Sequence, residues 1–368
     1  MSKVKWVRLG DYISPRNERN SDFRYGVELI EGVNSDGEFQ PTKAITDGID
    51  LKPYKAVWPG DIVYNPSRLN IGSLAYRESG MCIVSHLYQV FHVKEEFKNE
   101  LLPEFLLIWF KRDEFSRIVD YYNYGSQRAE FNLKKLGELI IPLPSLSEQQ
   151  KVVNAWKALR EIKEQNEAKA APLMQLCQSY IQELKHKYPA QEIGPHLQFF
   201  REKNKDKEIS LEQGINISKE FITPQRSNSD LSSRIKVRTG QFAYCTQLNN
   251  ENVAIAYRTG PDCVVSPVYE VFEIKKESRE QLLPEYLFIW LSRPEFGRYV
   301  YWSSVGSAYE FLRFDNLYAY KIAFPPLDVQ RAIVNIYKCA NEAKQIAAEA
   351  DRLSREVCPA LIQHVIHN

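Results

Sequence analysis

Apolar and polar positions along this chain follow two rhythms, one of period two and one of period three to four. Between Ala56 and Val93 the apolar runs are short: Ala56-Val57-Trp58 before a Pro59-Gly60 turn, Asp61-Ile62-Val63-Tyr64, Gly72-Ser73-Leu74-Ala75-Tyr76, Cys82-Ile83-Val84-Ser85 and Tyr88-Gln89-Val90-Phe91-His92-Val93. They are rich in β-branched and aromatic residues and bounded by Gly, Pro, Asn and Ser, which predicts strands. After Pro103 the spacing changes. Phe105, Leu106, Ile108 and Trp109 form a helical stripe, and a second short helix from Asp113 to Asp120 leads into the polar aromatic loop Tyr121 to Arg128.

Two long segments keep the helical rhythm throughout. From Ser147 to about Lys187 apolar residues recur at Val152, Val153, Trp156, Leu159, Ile162, Leu173, Leu176, Tyr180, Ile181 and Leu184. Ser147 with Gln150 predicts a capping box at the start. Pro172 predicts a kink or a break, so this tail can be read as two helices meeting near Ala171. The second tail, from Asp328 to about His364, shows Ile333, Ile336, Tyr337, Ala340, Ala343, Ile346, Ala347, Ala350, Leu353 and Val357, with Asp328 as its cap. Two amphipathic helices of this length need partners for their apolar faces, and an antiparallel coiled coil with each other supplies them. The other reading packs each tail on its own domain.

The two rhythms occur twice, about 181 residues apart. Leu101-Leu102-Pro103-Glu104-Phe105 returns as Leu282-Leu283-Pro284-Glu285-Tyr286, Trp109 as Trp290, Glu114-Phe115 as Glu295-Phe296, Arg117 as Arg298 and Gly125-Ser126 as Gly306-Ser307. A period this long is a duplicated domain plus helix, since solenoid units run only about 20 to 50 residues. The expected fold class is α+β: two homologous mixed α/β domains, residues 1–144 and 191–325, separated by a central helical region, 145–190, and followed by a C-terminal one, 326–368.

Composition changes little in this picture. The chain has 368 residues, 44% hydrophobic and 26% charged, ordinary for a soluble protein with room for two cores. No apolar run approaches the roughly 18 residues of a membrane span, and Met1 to Trp6 lacks a signal-peptide core, so a cytoplasmic location is expected. Six cysteines are scattered without a Cys-x-x-Cys pair, and six histidines show no ligand spacing; no metal and no cofactor are expected. Cys82 and Cys263 fall at equivalent places inside strand-like runs, as small core residues do. A net charge of +1 leaves nucleic acid open, because affinity depends on local Lys and Arg.

The order of segments resembles the specificity subunit of type I restriction–modification enzymes. The stretches that carry the resemblance are Leu101-Leu102-Pro103-Glu104-Phe105 to Trp109, Gly125-Ser126-Gln127, and Ile141-Pro142-Leu143-Pro144-Ser145-Leu146-Ser147-Glu148-Gln149-Gln150-Lys151, with Phe324-Pro325-Pro326-Leu327-Asp328-Val329-Gln330 as the weaker second set. The second domain departs from the pattern in having Ser307-Ala308-Tyr309. The resemblance implies a DNA-reading protein without catalysis of its own. Each target-recognition domain would read one half of a split, asymmetric duplex target, and the helices would set the gap. It also implies two modification (methyltransferase) subunits and restriction/translocase subunits as partners.

Direct readout needs Arg or Lys for guanine, Asn or Gln for adenine, and apolar contact for thymine. Polar loops of that composition nominate Arg16, Asn17, Arg19, Asn20, Arg68, Asn70, Tyr124, Ser126, Gln127 and Arg128 in the first domain. In the second they nominate Gln225, Arg226, Asn228, Gln247, Asn249, Asn250, Ser304, Ser307 and Tyr309. No Gly-rich cofactor turn or phosphate-binding loop is present, and Tyr64-Asn65-Pro66-Ser67 lacks the second Pro and aromatic of an amino-methyltransferase element. No active site is therefore expected. The alternative function is a duplicated, non-catalytic scaffold that assembles through its helices.

Overall fold

A computed structural model of the chain describes residues 4–42, 45–123, 130–225, 230–249, 252–303 and 311–367. The chain divides into two compact units, Met1–Asn166 with Gln345–Asn368, and Glu167–Lys344.

In the first unit an antiparallel sheet has the order Ile13–Pro15, Gln89–Val93, Asp61–Tyr64, Leu74–Tyr76. The period-two pattern is its cause, because neighbouring side chains point to opposite faces. Ile62, Tyr64, Phe91 and Val93 join a cluster with Phe105, Leu106 and Trp109. Val63, Ala75 and Val90 pack the other way, against Val57, Cys82 and Val84 of the two-stranded sheet Lys55–Val57 with Cys82–Val84. The helices of this unit include α1 (Leu9–Tyr12), α2 (Pro103–Phe110), α3 (Asp113–Asn123), α4 (Leu133–Gly137) and the first half of α5 (Leu146–Lys187).

The second unit repeats the plan with strands Leu197–Phe200, Tyr269–Ile274, Phe242–Asn249 and Asn252–Tyr257. Ala243, Ala256 and Val271 pack against Val237, Cys263 and Val265, while Phe242, Tyr244 and Phe272 face the helical side. Its helices include the second half of α5, α6 (Pro284–Ser292), α7 (Pro294–Ser303), α8 (Phe314–Tyr318) and the start of α9 (Leu327–His367). Burial raises the Cys82 and Cys263 thiols, to about 12 and about 11, so both behave as inert core groups.

Each unit contains parts of both long helices running in opposite directions. In the first, Val152, Val153 and Trp156 near the start of α5 share a core with Cys358 and Ile362 near the end of α9, and Lys163 Nζ lies 3.0 Å from Asp351 Oδ1. In the second, Cys177, Ile181 and Leu184 late in α5 share a core with Ile333 and Val334 early in α9. Ala340, Ala343, Ala347 and Ala350 are all buried, which is the small-residue stripe expected for close helix approach. The fold is α+β with an antiparallel helix pair. No helix among the described residues is long and apolar enough to cross a membrane.

Two local expectations change. The capping box of α5 is Ser145 with Glu148, not Ser147 with Gln150: Ser145 N–H donates to Glu148 Oε2 at 3.0 Å and Glu148 N–H to Ser145 Oγ at 3.4 Å. Likewise α9 starts at Leu327, so Asp328 lies in its first turn, where a carboxylate favours the helix dipole. Pro172 neither splits nor ends α5, which is continuous from Leu146 to Lys187. Pro172 and Ala168 both lie on the exposed side of α5, where water can satisfy a carbonyl that loses its helical donor.

Candidate nucleic-acid interface

In the first unit, the turn after strand Asp61–Tyr64 is built by its own side chains. Asn65 Oδ1 accepts from Ser67 N–H at 3.0 Å, an Asx turn, and Gly72 closes the loop at φ +92°. A Cβ at Gly72 would meet the Ser35 carbonyl at 2.3 Å, so glycine is required there twice over. The turn docks on the end of α3: Asn70 Nδ2 donates to Asp120 Oδ1 at 2.9 Å, and Phe131 N–H donates to the Pro66 carbonyl at 3.0 Å. Arg68 stands exposed on this turn. Arg68 and Asn70 are thus brought to the end of α3, the helix that leads into Tyr124, Ser126, Gln127 and Arg128, which lie outside the described residues.

The second unit reaches a related arrangement by a different backbone. Phe242–Asn249 and Asn252–Tyr257 form a hairpin whose register shifts between Tyr244 and Leu248, pairing Asn249 with Asn252. Leu312 N–H donates to the Thr246 carbonyl at 2.8 Å and Gln247 bridges to Phe311, so Phe311 and Leu312 are laid against the hairpin. Gln247 is exposed there, and α7 itself packs on Asn252–Tyr257. Gln225 is exposed on a separate loop. Arg226, Asn228, Asn250, Ser304, Ser307 and Tyr309 lie outside the described residues, and so does the side chain of Asn249.

The segment Arg16 to Asn20 is placed elsewhere, paired with strand Lys55–Val57 through Ala56 N–H to the Glu18 carbonyl at 3.0 Å and Asn20 N–H to the Tyr54 carbonyl at 2.9 Å. Arg16 Nε donates to Asp61 Oδ2 at 2.6 Å and so neutralises a fully buried carboxylate. His92 Nδ1 lies 3.9 Å from the other Asp61 oxygen, and burial holds that imidazole below its usual pKa. Asn17 and Arg19 are exposed on the outer side.

Asn20 requires a correction. It is fully buried, donating from Nδ2 to the Tyr25 carbonyl at 2.8 Å and accepting from Tyr25 N–H at 3.0 Å. Its repeat-mate Asn204, also fully buried, does the same with Ile209, at 2.8 and 3.2 Å. Both asparagines brace a loop and present no edge to a base. Asn20→Ala leaves a buried backbone N–H and carbonyl unpaired, at about 1 to 3 kcal/mol each. Chemical denaturation is expected to show that loss, with the DNA target unchanged; a changed target with unchanged stability would return Asn20 to the interface.

The polar-loop criterion also passed over two exposed aromatic residues. Tyr121 and Trp302, on the last turns of α3 and α7, are the most exposed aromatic side chains among the described residues. The return of an aromatic at the same repeat offset was the available signal.

Comparison with known proteins agrees with this reading of the repeat. Residues 17–171 match the family model described as the type I restriction modification DNA specificity domain. No curated protein matches the chain. Among solved structures, the S subunit of a type I restriction–modification system from M. genitalium is similar at 12% identity with a TM-score of 0.64, over 99% of this chain and 97% of that one. The HsdS subunit from Thermoanaerobacter tengcongensis aligns at 16% identity with a TM-score of 0.41, over 99% of this chain and 97% of that one. The chain is thus similar to the type I restriction modification DNA specificity domain over residues 17–171, and its fold is that of a type I restriction–modification S subunit.

Proposed function

We propose that this chain is the sequence-specific DNA-binding subunit of a type I restriction–modification complex, itself without catalytic activity. One domain reads each half of a bipartite, asymmetric target. The antiparallel helix pair serves as the spacer and as the docking site for two methyltransferase subunits, which restriction/translocase subunits join. The observation that carries this reading is the duplication: a specificity domain over residues 17–171, a second copy of its fold, and each copy mounted on both long helices. Two similar readers with different polar loops suit two unequal half-sites. Arg68 and Asn70 in the first copy, and Gln247 in the second, lead the described residues proposed to face bases. Gln127, Arg128, Asn249 and Asn250 complete the set.

The test is the methylome of cells carrying this gene and a cognate methyltransferase gene, compared with a deletion of this gene alone. A split motif that disappears on deletion is expected. Unchanged methylation would favour the scaffold reading. Substituting Gln127-Arg128 or Asn249-Asn250 is expected to relax or change one half of the motif, at about 1 to 3 kcal/mol per lost base contact. Methylation of the unchanged motif at an unchanged rate would reject those loop assignments.

A further inference from the structure

The outer faces of α3 and α7 carry one pattern twice. Tyr121 is 78% exposed and Trp302 is 74% exposed, at equivalent places in the repeat. Four residues before each stands an arginine, Arg117 and Arg298, with side chains 73% and 60% exposed. Residues four apart share a helix face, so each arginine and ring form one stripe. The opposite faces are anchored by Phe115 and Val119 in α3 and by Phe296 and Val300 in α7, all buried. Glu114 and Glu295 lie 3.6 and 3.7 Å from the arginines' Nη2 atoms and orient the guanidinium groups without burying them.

A single exposed ring on a protein surface needs no explanation. An exposed ring with an exposed arginine one turn before it, at the same place in both copies, does. The stripes also keep particular company. The Asn70–Asp120 hydrogen bond sets Arg68 and Asn70 beside the last turn of α3, and in the second unit α7 packs on the hairpin that carries Gln247. A guanidinium suits a phosphate, and a flat ring suits a sugar or base edge.

We infer that the Arg117–Tyr121 and Arg298–Trp302 stripes are DNA contacts in their own right. Each arginine sits on a backbone phosphate and each ring packs against the sugar and base edge beside it. The inference rests on the DNA-binding reading above. It adds four residues that position the duplex on both domains by the same means, leaving sequence choice to the divergent polar loops.

The test uses the chain assembled with its methyltransferase subunits and a labelled duplex carrying the motif found in the methylome. Trp302→Ala and Tyr121→Ala are expected to weaken binding about tenfold each, as loss of a ring's apolar contact with the duplex would. Trp302→Phe and Tyr121→Phe should retain most of the affinity, and all four variants should assemble normally by gel filtration. Arg117→Gln and Arg298→Gln should each lower the slope of log affinity against log salt by about one. Alanine variants that bind as tightly as the wild type would overturn the inference. Variants that lose the methyltransferase subunits would overturn it too, by assigning the stripes to a protein partner. A wild-type complex that binds no duplex would instead remove the DNA-binding reading itself.

Discussion

Lengthening both long helices by one turn is expected to move the complex to a target whose gap is longer by about two base pairs. Four residues add about 6 Å of helix, against about 3.4 Å per base pair. The insertions belong between Asn166 and Glu167 in α5 and between Lys344 and Gln345 in α9, where the chain passes from one unit to the other. Pairs within a unit, such as Lys163 with Asp351 or the Trp156 cluster with Ile362, then keep their partners. The half-site sequences should stay the same, because neither domain is altered. Methylation of the original motif should fall to background, since a protein that meets one half-site in register loses the other. Inserting the turn in α5 alone is a different experiment. It puts one apolar face out of step with the other, and loss of soluble protein is the expected result. A doubly lengthened chain that still methylates the original gap would reject the helix pair as a spacer.

How much of this could be read from the sequence depends on what kind of constraint each residue obeys. β-Branched and aromatic content between the Pro59-Gly60 turn and Asn65-Pro66 located the strand Asp61–Tyr64 to the residue, as a short apolar run buried on both faces requires. The pairing of the long helices was legible for a related reason: apolar stripes three and four residues apart demand a cover. Pro172 was ambiguous because its effect depends on exposure. On a solvent-facing side a missing hydrogen bond is made up by water, and that side is not visible from the residue alone. The interface was the least legible part. Polar side chains in loops serve bases, solvent or the fold itself with equal ease, so Asn20 and Arg68 looked alike. What separates them is burial, and the repeat held a clue in Asn204, which a comparison of loop composition overlooked. The repeat likewise marked Arg117 with Arg298, although their role is only framed once both helices show which face is outward.

Replacing Gln149 or Gln330 by leucine is expected to cost about 3 kcal/mol or more and to leave much of the chain insoluble. These two glutamines are fully buried near the starts of α5 and α9 and perform one task in two places. Gln149 Oε1 accepts from Leu102 N–H at 2.9 Å, and its Nε2 donates to the carbonyls of Glu100 and Pro144 at 2.7 and 2.9 Å. Gln330 accepts from Leu283 N–H at 2.9 Å and donates to Gln281 and Pro325 at 2.7 and 2.8 Å. Each amide therefore stitches three backbone groups, tying the long helix to the loop that opens α2 or α6. Leucine fills the space but leaves one N–H and two carbonyls unpaired in the interior, at about 1 to 3 kcal/mol each. Glutamate is the sharper probe, because it is isosteric and can still accept from the leucine N–H. Its second oxygen would face two carbonyls, so it must either hold a proton, with a pKa raised by burial and by those dipoles, or repel them. A raised folded-state pKa confines the stabilising form to low pH. Gln149→Glu should therefore approach wild-type stability in acid relative to its own value at pH 7, and lose stability as pH rises through that pKa. Equilibrium denaturation at two pH values reads this directly. A glutamate variant as stable as wild type at pH 7 would show that the stitch contributes little, and that apolar packing alone fixes each helix to its domain.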